Sequence, residues 1–433
     1  MCYLCVELKY KLMRYILLIL LLVNLVSYGQ KGPGGVSSNI VLWLDATEIT
    51  GNNNQIINNW VDKSNSPITL TGHNSVRLKT NYVNRQNALY FNGTSQYFQA
   101  PFASKLTPSS LSIFTVNKII STGSHKAVIS NRDDKWGAST QGYILYGAPS
   151  SNQWQFWTGN YSEAWRPVSS GISTVNSWSS QTMVYKPYNT NNPNKWLYVN
   201  NLSRGSARHL MNHNTDKPFR IGAGYNEGGA QYFFKGYMSE IIMYNTAVNS
   251  AQMTIINNYL SAKYGFALSS KDYYTMDNSA YDYDVTGIGR DNRTNQHRSS
   301  TGTGIISISR NSLKDGQYLF TGSNREYTVF NNYNLGPACY ICMDRIWGVT
   351  NRGGVKKVSL SFNFTISKPS NVSDEVYIII DRNKNGDYND ETPIRRSSQA
   401  GNIVTFNGIQ LNNGETFTLA VKGDEITTQD INK

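Results

Sequence analysis

Short apolar runs, interrupted by Asn, Gly, Ser and Pro, make up most of the chain from Asn39 onward. Early examples are Ile40–Leu44, Ala88–Phe91 and Ser112–Val116. Short runs of this kind, rich in β-branched and aromatic residues and bounded by turn residues, predict β-strands. Their regular recurrence predicts an all-β fold built as a sandwich or a barrel.

Helical spacing first becomes convincing late in the chain. Apolar residues recur there at intervals of three and four, at Met253, Ile256, Tyr259, Leu260 and Tyr264. Asn249 and Ser250 can cap the start of this helix, and Gly265 can end it. A single helix after a long β region predicts a boundary between domains.

The domain organisation follows from these patterns and from a second set of β-type runs. We expect a first β domain over 38–268, a polar, Tyr- and Asp-rich connector over 269–284, and a smaller β domain over 285–423. Residues 424–433 form a polar tail. A β module of this size lies within the normal domain range.

The N-terminus predicts export. Arg14 precedes the apolar run Tyr15–Val23, and the small residues Ser27 and Gly29 stand just before Gln30. A basic start, a short apolar segment and small residues before the cut are typical of a secretory signal peptide, here 1–29. The apolar run is short for a membrane span, and no second apolar segment of that length follows. The expected location is therefore secreted or at the cell surface.

Charge adds little to this picture. Forty Lys and Arg residues against 28 Asp and Glu residues give a net charge of +12. The cations are scattered, with pairs such as Lys356–Lys357 as the longest runs, so no basic patch predicts a nucleic-acid partner.

Two cysteines, Cys339 and Cys342, remain beyond the predicted signal peptide. One Cys-x-x-Cys pair lacks the second pair, or the histidines, that a zinc site requires. In an exported protein the pair predicts a local disulfide, with two tolerated thiols as the alternative.

Several segments of the first domain, in order along the chain, resemble the laminin-G-like, concanavalin-A-like jelly-roll domains of secreted bacterial proteins. The matching segments are Leu42–Ala46, Trp60–Ser64, Ala88–Phe98, Arg220–Ala223 and Phe234–Asn245. The resemblance implies a jelly-roll sandwich over 38–268. The second domain resembles an uncharacterised β domain that follows such jelly rolls in surface proteins, and it implies architecture rather than activity. The segments that carry this second resemblance are Val285–Asp291, Leu313–Leu319 and Arg345–Val349.

Folds of this class include glucanases, so glycoside hydrolysis is one hypothesis. That chemistry needs two carboxylates flanking the sugar bond. Glucanases on this fold usually carry them on one strand, as Glu-x-Asp-x-Glu. The glutamates of 38–268 are Glu48, Glu163, Glu227 and Glu240, and no two lie within four residues of each other. A pair assembled from distant strands stays open as the enzymatic alternative.

Carbohydrate binding without catalysis is the rival hypothesis. Trp157 and Trp165 stand among amides and charges, and flat aromatic faces with polar neighbours suit sugar rings. Trp43, Trp60 and Trp196 are expected in the core instead. Trp157 and Trp165 are therefore the candidate ligand-binding residues.

Segment 381–391 predicts a calcium loop. Asp381, Asn383, Asn385 and Asp387 alternate in the pattern D-x-N-x-N-G-D, the first half of an oxygen-rich loop. Thr392 stands where an EF-hand has its bidentate Glu, so this is not an EF-hand. A hairpin turn without an ion is the alternative.

We therefore expect an exported binding or adhesion protein whose partner is a polysaccharide, a surface glycan or an extracellular protein. A glycoside hydrolase and a purely structural adhesin segment are the other two hypotheses.

Overall fold

The structure is a computed structural model that describes residues 30–121, 123–134, 140–147, 153–161, 163–172, 174–187, 192–226, 229–277, 281–326, 328–332, 334–364 and 372–423. The predicted signal peptide and tail lie outside the described residues. Residues 31–433 belong to one compact unit.

Eighteen strands precede the long helix in this part of the chain. They are β1 (Ile40–Asp45), β2 (Asn59–Val61), β3 (Thr69–His73), β4 (Arg77–Val83), β5 (Gln86–Asn92), β6 (Tyr97–Ala100), β7 (Leu111–Ile119), β8 (Lys126–Asp134), β9 (Thr140–Gly147), β10 (Gln155–Asn160), β11 (Glu163–Ser169), β12 (Ser179–Tyr185), β13 (Lys195–Val199), β14 (Leu202–Ala207), β15 (Phe219–Ile221), β16 (Gly224–Asn226), β17 (Gly229–Gln231) and β18 (Lys235–Tyr244). Short 3-10 helices cover Pro33–Gly35, Ala46–Glu48 and Ser104–Leu106.

These strands form two antiparallel sheets and a small hairpin. Sheet I has the order β14-β13-β12-β7-β18-β5-β4, with β1 also paired to β18. Sheet II has the order β11-β10-β9-β8-β15-β6-β3-β2, and β16 pairs with β17. The main core lies between the two sheets, where Trp60, Phe91 and Leu145 are fully or almost fully buried. Side chains alternate along each strand, so every strand of the core also presents residues to an outer face.

The long helix, α1 (Ser250–Tyr264), forms where the spacing predicted it. The Asn249 side chain accepts from the backbone N–H of Gln252, whose own side chain accepts from the backbone N–H of Asn249. This reciprocal cap satisfies two of the donors that a helix start leaves open. Gly265, with φ of 66°, ends the helix in the left-handed conformation.

The second sandwich follows α1. Its strands are β19 (Tyr283–Arg290), β20 (Gln296–His297), β21 (Ser299–Thr301), β22 (Ile306–Ser309), β23 (Gln317–Ser323), β24 (Phe330–Asn332), β25 (Tyr340–Arg352), β26 (Val358–Asn363), β27 (Val372–Asp381), β28 (Ile394–Arg395), β29 (Ser398–Ala400), β30 (Ile403–Ile409) and β31 (Thr416–Gly423). Sheet III has the order β20-β19-β23-β25-β31-β27-β28, with β24 paired to β25, and sheet IV the order β21-β22-β26-β30-β29. Trp347, Phe362 and Phe417 lie in the core of this sandwich.

Helix α1 is buried on almost every side because it packs on two partners. Tyr259 and Tyr264 belong to an apolar cluster with Phe114 and Ile242 of sheet I, and the same cluster includes Phe320 of the second sandwich. The helix therefore covers part of the outer face of sheet I.

The N-terminal segment also packs against the second sandwich. Gly32 donates its backbone N–H to the carbonyl of Thr301, and Thr286 donates its hydroxyl to the carbonyl of Gly34. A Cβ on Gly35 would come within 1.7 Å of the Ser300 hydroxyl oxygen. Only glycine fits at this position, which also has φ of 87°.

The predicted fold class is confirmed, since the chain is almost all β and forms two sandwiches. Within the described ranges, no helix combines the length and the apolar character needed to cross a membrane.

Candidate functional site

The outer face of sheet II carries a group of aromatic side chains. Phe156 of β10 and Leu145 of β9 point into the core. Because side chains alternate along a strand, Trp157 and Tyr146 point outward. Trp157 lies directly opposite Ile144 in the β9–β10 register, which fixes its position on this face.

Five rings form what we call the aromatic cluster, namely His125, Tyr146, Trp157, Trp165 and Tyr232. Trp157 lies at its centre, with ring-centroid distances of 5.6 Å to His125, 5.7 Å to Tyr146 and 6.4 Å to Trp165. Its contacts with His125 and Tyr146 are edge-to-face, a favoured geometry for aromatic pairs. Tyr146 is buried, whereas the two tryptophans and Tyr232 are half-buried. The cluster therefore presents ring surface to solvent.

Polar groups lie against these rings. The Arg132 guanidinium carbon is 5.1 Å from the Trp165 ring centroid, and Arg132 also donates to the Tyr146 hydroxyl at 3.2 Å. The Trp157 indole N–H donates to Gln155 Oε1 at 2.9 Å. Burial, and next the nearby Arg132, lower the pKa of His125 below its usual value, which favours the uncharged ring. The cluster thus combines flat apolar surface with one cation and one amide.

The same outer face continues with polar residues toward β15 and β6. Arg220 lies opposite Ser130 and Gln99 in the strand register, and its Nε donates to Gln99 Oε1 at 2.8 Å. Its guanidinium carbon is 5.7 Å from the Tyr97 ring, on which His73 stacks at 4.4 Å. Sheet II therefore has an aromatic end and a mixed, cationic middle on one face.

The two predicted ligand-binding residues, Trp157 and Trp165, come together in this cluster, and their role in binding stays a prediction. Trp43 and Trp60 are buried as expected. The expectation for Trp196 was wrong. Trp196 is half-buried, with the Lys186 ammonium 5.4 Å from its ring, because its neighbour Leu197 takes the core-facing position of β13.

Sequence reasoning missed His125, Tyr146 and Arg132 as members of the cluster. The signal for Tyr146 was present, since Tyr143, Ile144, Leu145 and Tyr146 alternate between core and outer face. His125 and Arg132 reach the cluster only through the pairing of β8 with β9, which a single sequence does not reveal.

Two carboxylates of the first sandwich also meet, but on the outer face of sheet I under the helix. Asp45 of β1 lies opposite Glu240 of β18. Lys263 of α1 donates to Asp45 Oδ2 and to Glu240 Oε2, both at 2.8 Å. Tyr264 donates to Glu240 Oε2 at 2.7 Å, and the Trp43 indole donates to Glu240 Oε1 at 2.8 Å.

The electrostatics of this buried network are those of a structural ion pair. Burial alone would lower the pKa of Lys263, but Asp45 and Glu240 raise it well above its usual value. Burial alone would raise the pKa of Asp45, but Lys263 and Lys63 hold it well below its usual range. Glu240 is fully buried, so no sugar can reach the pair. The network fastens α1 to sheet I and does not supply the carboxylate pair of a glycosidase.

The predicted calcium ligands lie in a turn between β27 and β28 that hydrogen-bonds to itself. The two oxygens of Asp381 accept from the backbone N–H groups of Asn385 and Gly386, at 3.2 and 3.0 Å. Asn383 Oδ1 accepts from the backbone of Asn385, and Asn385 Oδ1 from that of Asp387. Among the described residues, no group of three His, Cys, Asp or Glu side chains could hold a metal ion. The oxygens thus serve the turn, and calcium binding stays a prediction.

The structure holds Cys339 and Cys342 as free thiols, and the disulfide between them stays a prediction. Cys342 is buried in a small apolar cluster with Ile379 and Tyr388, and burial raises the pKa of its thiol to about 12. Cys339 precedes β25 in a left-handed turn, with φ of 68°. The alternative of two tolerated thiols fits this environment.

Two family models match the chain. Residues 92–254 match a Laminin G model described as the concanavalin A-like lectin/glucanases superfamily, and residues 252–415 match a domain of unknown function. The first match covers the aromatic cluster, and the second begins within α1. No curated protein sequence matches the chain significantly.

Solved structures with a similar arrangement include three carbohydrate-related proteins. Domain 4 of an extracellular arabinanase from Geobacillus stearothermophilus, in complex with arabinotriose, is 14% identical over 51% of this chain and 98% of that domain, with a TM-score of 0.35. The binding domain of botulinum neurotoxin DC is 10% identical over 91% of this chain and 96% of its own length, with a TM-score of 0.40. Trypanosoma rangeli sialidase is 15% identical over 52% of this chain and 33% of its own, with a TM-score of 0.35. Matches of this size carry no information on ligand or activity. The chain thus contains a concanavalin A-like domain followed by a second domain of unknown function.

Proposed function

We propose that this protein binds a carbohydrate at the aromatic cluster of sheet II and does not cleave it. The observation that carries the proposal is the half-buried pair Trp157 and Trp165, with Arg132 against one ring and Gln155 bonded to the other. Sugar rings present C–H faces and hydroxyl edges, so they suit flat aromatic surface flanked by a few fixed polar groups.

The absence of catalysis rests on the buried network. Among the described residues of the first sandwich, Asp45 and Glu240 are two carboxylates that the strand register brings opposite each other, and both bond to Lys263 under α1. A glycosidase needs its two carboxylates on either side of an accessible sugar bond. This pair therefore supports binding over hydrolysis.

The second sandwich would act as a rigid spacer behind the binding domain. Its own core around Trp347 and its shared apolar cluster with α1 support this role, because both favour a stiff joint. The protein would work outside the cell, after removal of residues 1–29. Mass spectrometry of the exported chain should find an N-terminus at Gln30.

Affinity electrophoresis tests the proposal. The purified chain is run through gels that each contain one polysaccharide of a panel, and the same panel is assayed for newly released reducing ends. We expect retardation by at least one neutral polysaccharide, at least tenfold weaker binding in Trp157→Ala and Trp165→Ala, and no sugar release. Trp196→Ala is the matched control, because Trp196 is also half-buried but belongs to sheet I.

Release of reducing ends would overturn the proposal in favour of a hydrolase. Retardation that survives both cluster variants would place binding elsewhere. No retardation by any member of the panel would leave the structural adhesin as the better hypothesis.

A further inference from the structure

A second aromatic surface lies on sheet I, beside the part that α1 covers. Arg77 of β4 pairs with Tyr90 of β5, Tyr90 pairs with Tyr237 of β18, and Tyr237 pairs with Lys118 of β7. Directly paired residues of antiparallel strands point to the same face. These four residues therefore form one straight line across four strands, which we call the tyrosine row.

The tyrosine row points away from the core. Leu89 and Met238, which neighbour Tyr90 and Tyr237 along their strands, are both in the core between the sheets. Alternation then places the two tyrosines outside, where both are half-buried. With neighbouring strands about 4.8 Å apart, four strands give the row a length of about 14 Å.

Further rings extend the row into a platform. Tyr82 stacks on Tyr237 with ring centroids 4.2 Å apart, and Trp178 lies 6.5 Å from Tyr82. An irregularity in the β4–β5 register between Lys79 and Val83 redirects Tyr82 toward this face. Tyr82 is 40% exposed, a large value for an aromatic side chain held in ring contacts. The platform thus offers aromatic surface to solvent.

Four cations surround the platform. Arg77 and Lys118 end the tyrosine row, the Lys79 ammonium is 5.8 Å from the Tyr90 ring, and Lys235 is exposed two residues before Tyr237. Within the described residues, none of the four forms an ion pair with a carboxylate. Arg77 donates to the backbone carbonyl of Asn54 and Lys79 to its side-chain oxygen, but both acceptors are neutral. The positive charge of the four side chains is therefore available to an anionic partner.

We propose that the tyrosine row binds an anionic polysaccharide, a polymer of uronate or sulfated sugars that runs across the strands. Stacked tyrosines offer ring faces to sugars, and the four cations neutralise acidic groups along the chain. The length of the row fits an extended polymer better than a monosaccharide. Tyr82 and Tyr237 already stack on each other, so they leave no slot for a nucleic-acid base, and sugars are the better partner.

This inference is independent of the proposed function, because the tyrosine row and the aromatic cluster lie on different sheets. The two surfaces also differ in charge, since the row has four cations and the cluster has Arg132. One protein would then bind two different glycans on opposite faces of its first sandwich.

The test uses the full chain in gels that contain polygalacturonate, with dextran as the neutral probe. We expect retardation by polygalacturonate that weakens steeply as salt is raised, and at least a tenfold loss of affinity in Tyr237→Ala. The double variant Lys118→Ala/Lys235→Ala should lose a similar factor at low salt and show a shallower salt dependence. Tyr237→Phe, which keeps the ring, should bind like the unaltered chain.

Two controls make the result specific. Lys356→Ala/Lys357→Ala removes the same charge from exposed positions of the second sandwich, and Trp157→Ala alters only the aromatic cluster. Both should keep their affinity for polygalacturonate. The charge variant also remains a test if Tyr237→Ala fails to fold.

Three results would overturn the inference. One is an equal loss of affinity in the Lys356/Lys357 control, which would mean that binding depends on net charge alone. Another is unchanged affinity in the Lys118/Lys235 variant. The third is tighter retardation by single-stranded DNA than by polygalacturonate, reduced by Tyr237→Ala, which would assign the row to nucleic acid.

Discussion

The two outer faces of the first sandwich carry similar side chains that have different roles. On sheet I, α1 covers Asp45, Glu240 and their lysine, so these charged groups are sealed from solvent. On sheet II, Trp157 and Trp165 remain half-buried and reach solvent. Burial therefore decides whether a group of polar and aromatic side chains stabilises the fold or can bind a ligand. The residue types alone do not distinguish these two roles.

The sharpest test of this comparison removes the central charge of the buried network. Lys263→Ala leaves Glu240 buried without its cation and leaves Asp45 with Lys63 as its remaining ion-pair partner. Removing one partner of a buried ion pair typically costs about 3–5 kcal/mol. We expect the free energy of unfolding to fall by that amount in chemical denaturation. The second change Glu240→Gln in the same chain should restore part of the loss, because it removes the carboxylate that has lost its cation. A loss of stability below about 1 kcal/mol would show that this network does not hold α1 on sheet I.

Two tryptophans on opposite faces of sheet II, Trp60 and Trp157, allow the next test. Trp60→Ala opens a cavity in the core and should cost about 3–5 kcal/mol of stability. Trp157→Ala removes a half-exposed ring and should cost about 1 kcal/mol while it weakens carbohydrate binding. Denaturation midpoints and gel retardation of the two variants should therefore separate. Similar stability losses would mean that Trp157 is a core residue.

Two histidines allow a test by pH. Burial lowers the pKa of His297 to about 4, while its ring donates to the carbonyl of Gly35 at 3.2 Å. The unfolded chain, with an ordinary histidine pKa near 6.5, binds the proton more readily. Stability should thus fall as the pH is lowered from about 6.5 to 4, by about 3 kcal/mol. His297→Gln should flatten this slope, whereas His125→Gln, on the open face, should change it less.

The turn at 381–391 allows a last test, in which calcium changes the melting temperature only slightly. If calcium binds there with millimolar affinity, a several-fold excess stabilises the chain by about 1 kcal/mol. The melting temperature should then rise with calcium and return with chelator. Asp387→Ala should abolish the rise, because it removes one of the predicted calcium ligands. The turn itself should remain, since Asp387 is exposed and its loss leaves the Asp381 hydrogen bonds in place. An unchanged melting temperature would identify the segment as a turn alone.

The sequence predicted local structure well and the assembly of sites poorly. Alternation and turn residues predict strands such as β7, and Asn249 and Gly265 mark the ends of α1, because these signals act between neighbours in the chain. The buried network escaped prediction because Asp45 and Glu240 meet only through a strand pairing over a long stretch of chain.

The same reason explains the aromatic cluster. Trp157 and Trp165 lie on adjacent strands and could be chosen from their polar neighbours. Trp196 was misplaced because an alternating strand does not say which of its two faces is covered. The turn at 381–391 shows a related limit, since alternating oxygens satisfy either an ion or their own backbone.

The contacts of the N-terminal segment constrain the order in which the fold can form during synthesis. Gly34 accepts hydrogen bonds from Thr286 and Ser300, 252 and 266 residues further along the chain. A ribosome therefore releases the start of the first sandwich long before its partner residues exist. Until the second sandwich has been made, the backbone groups of Gly32 and Gly34 lack these partners, although Tyr244 of the first sandwich can already donate to the carbonyl of Val36. A chain truncated after α1 would consequently lose the hydrogen bonds of Gly32 and Gly34, and the native contacts of the N-terminal segment are complete only when both sandwiches are present.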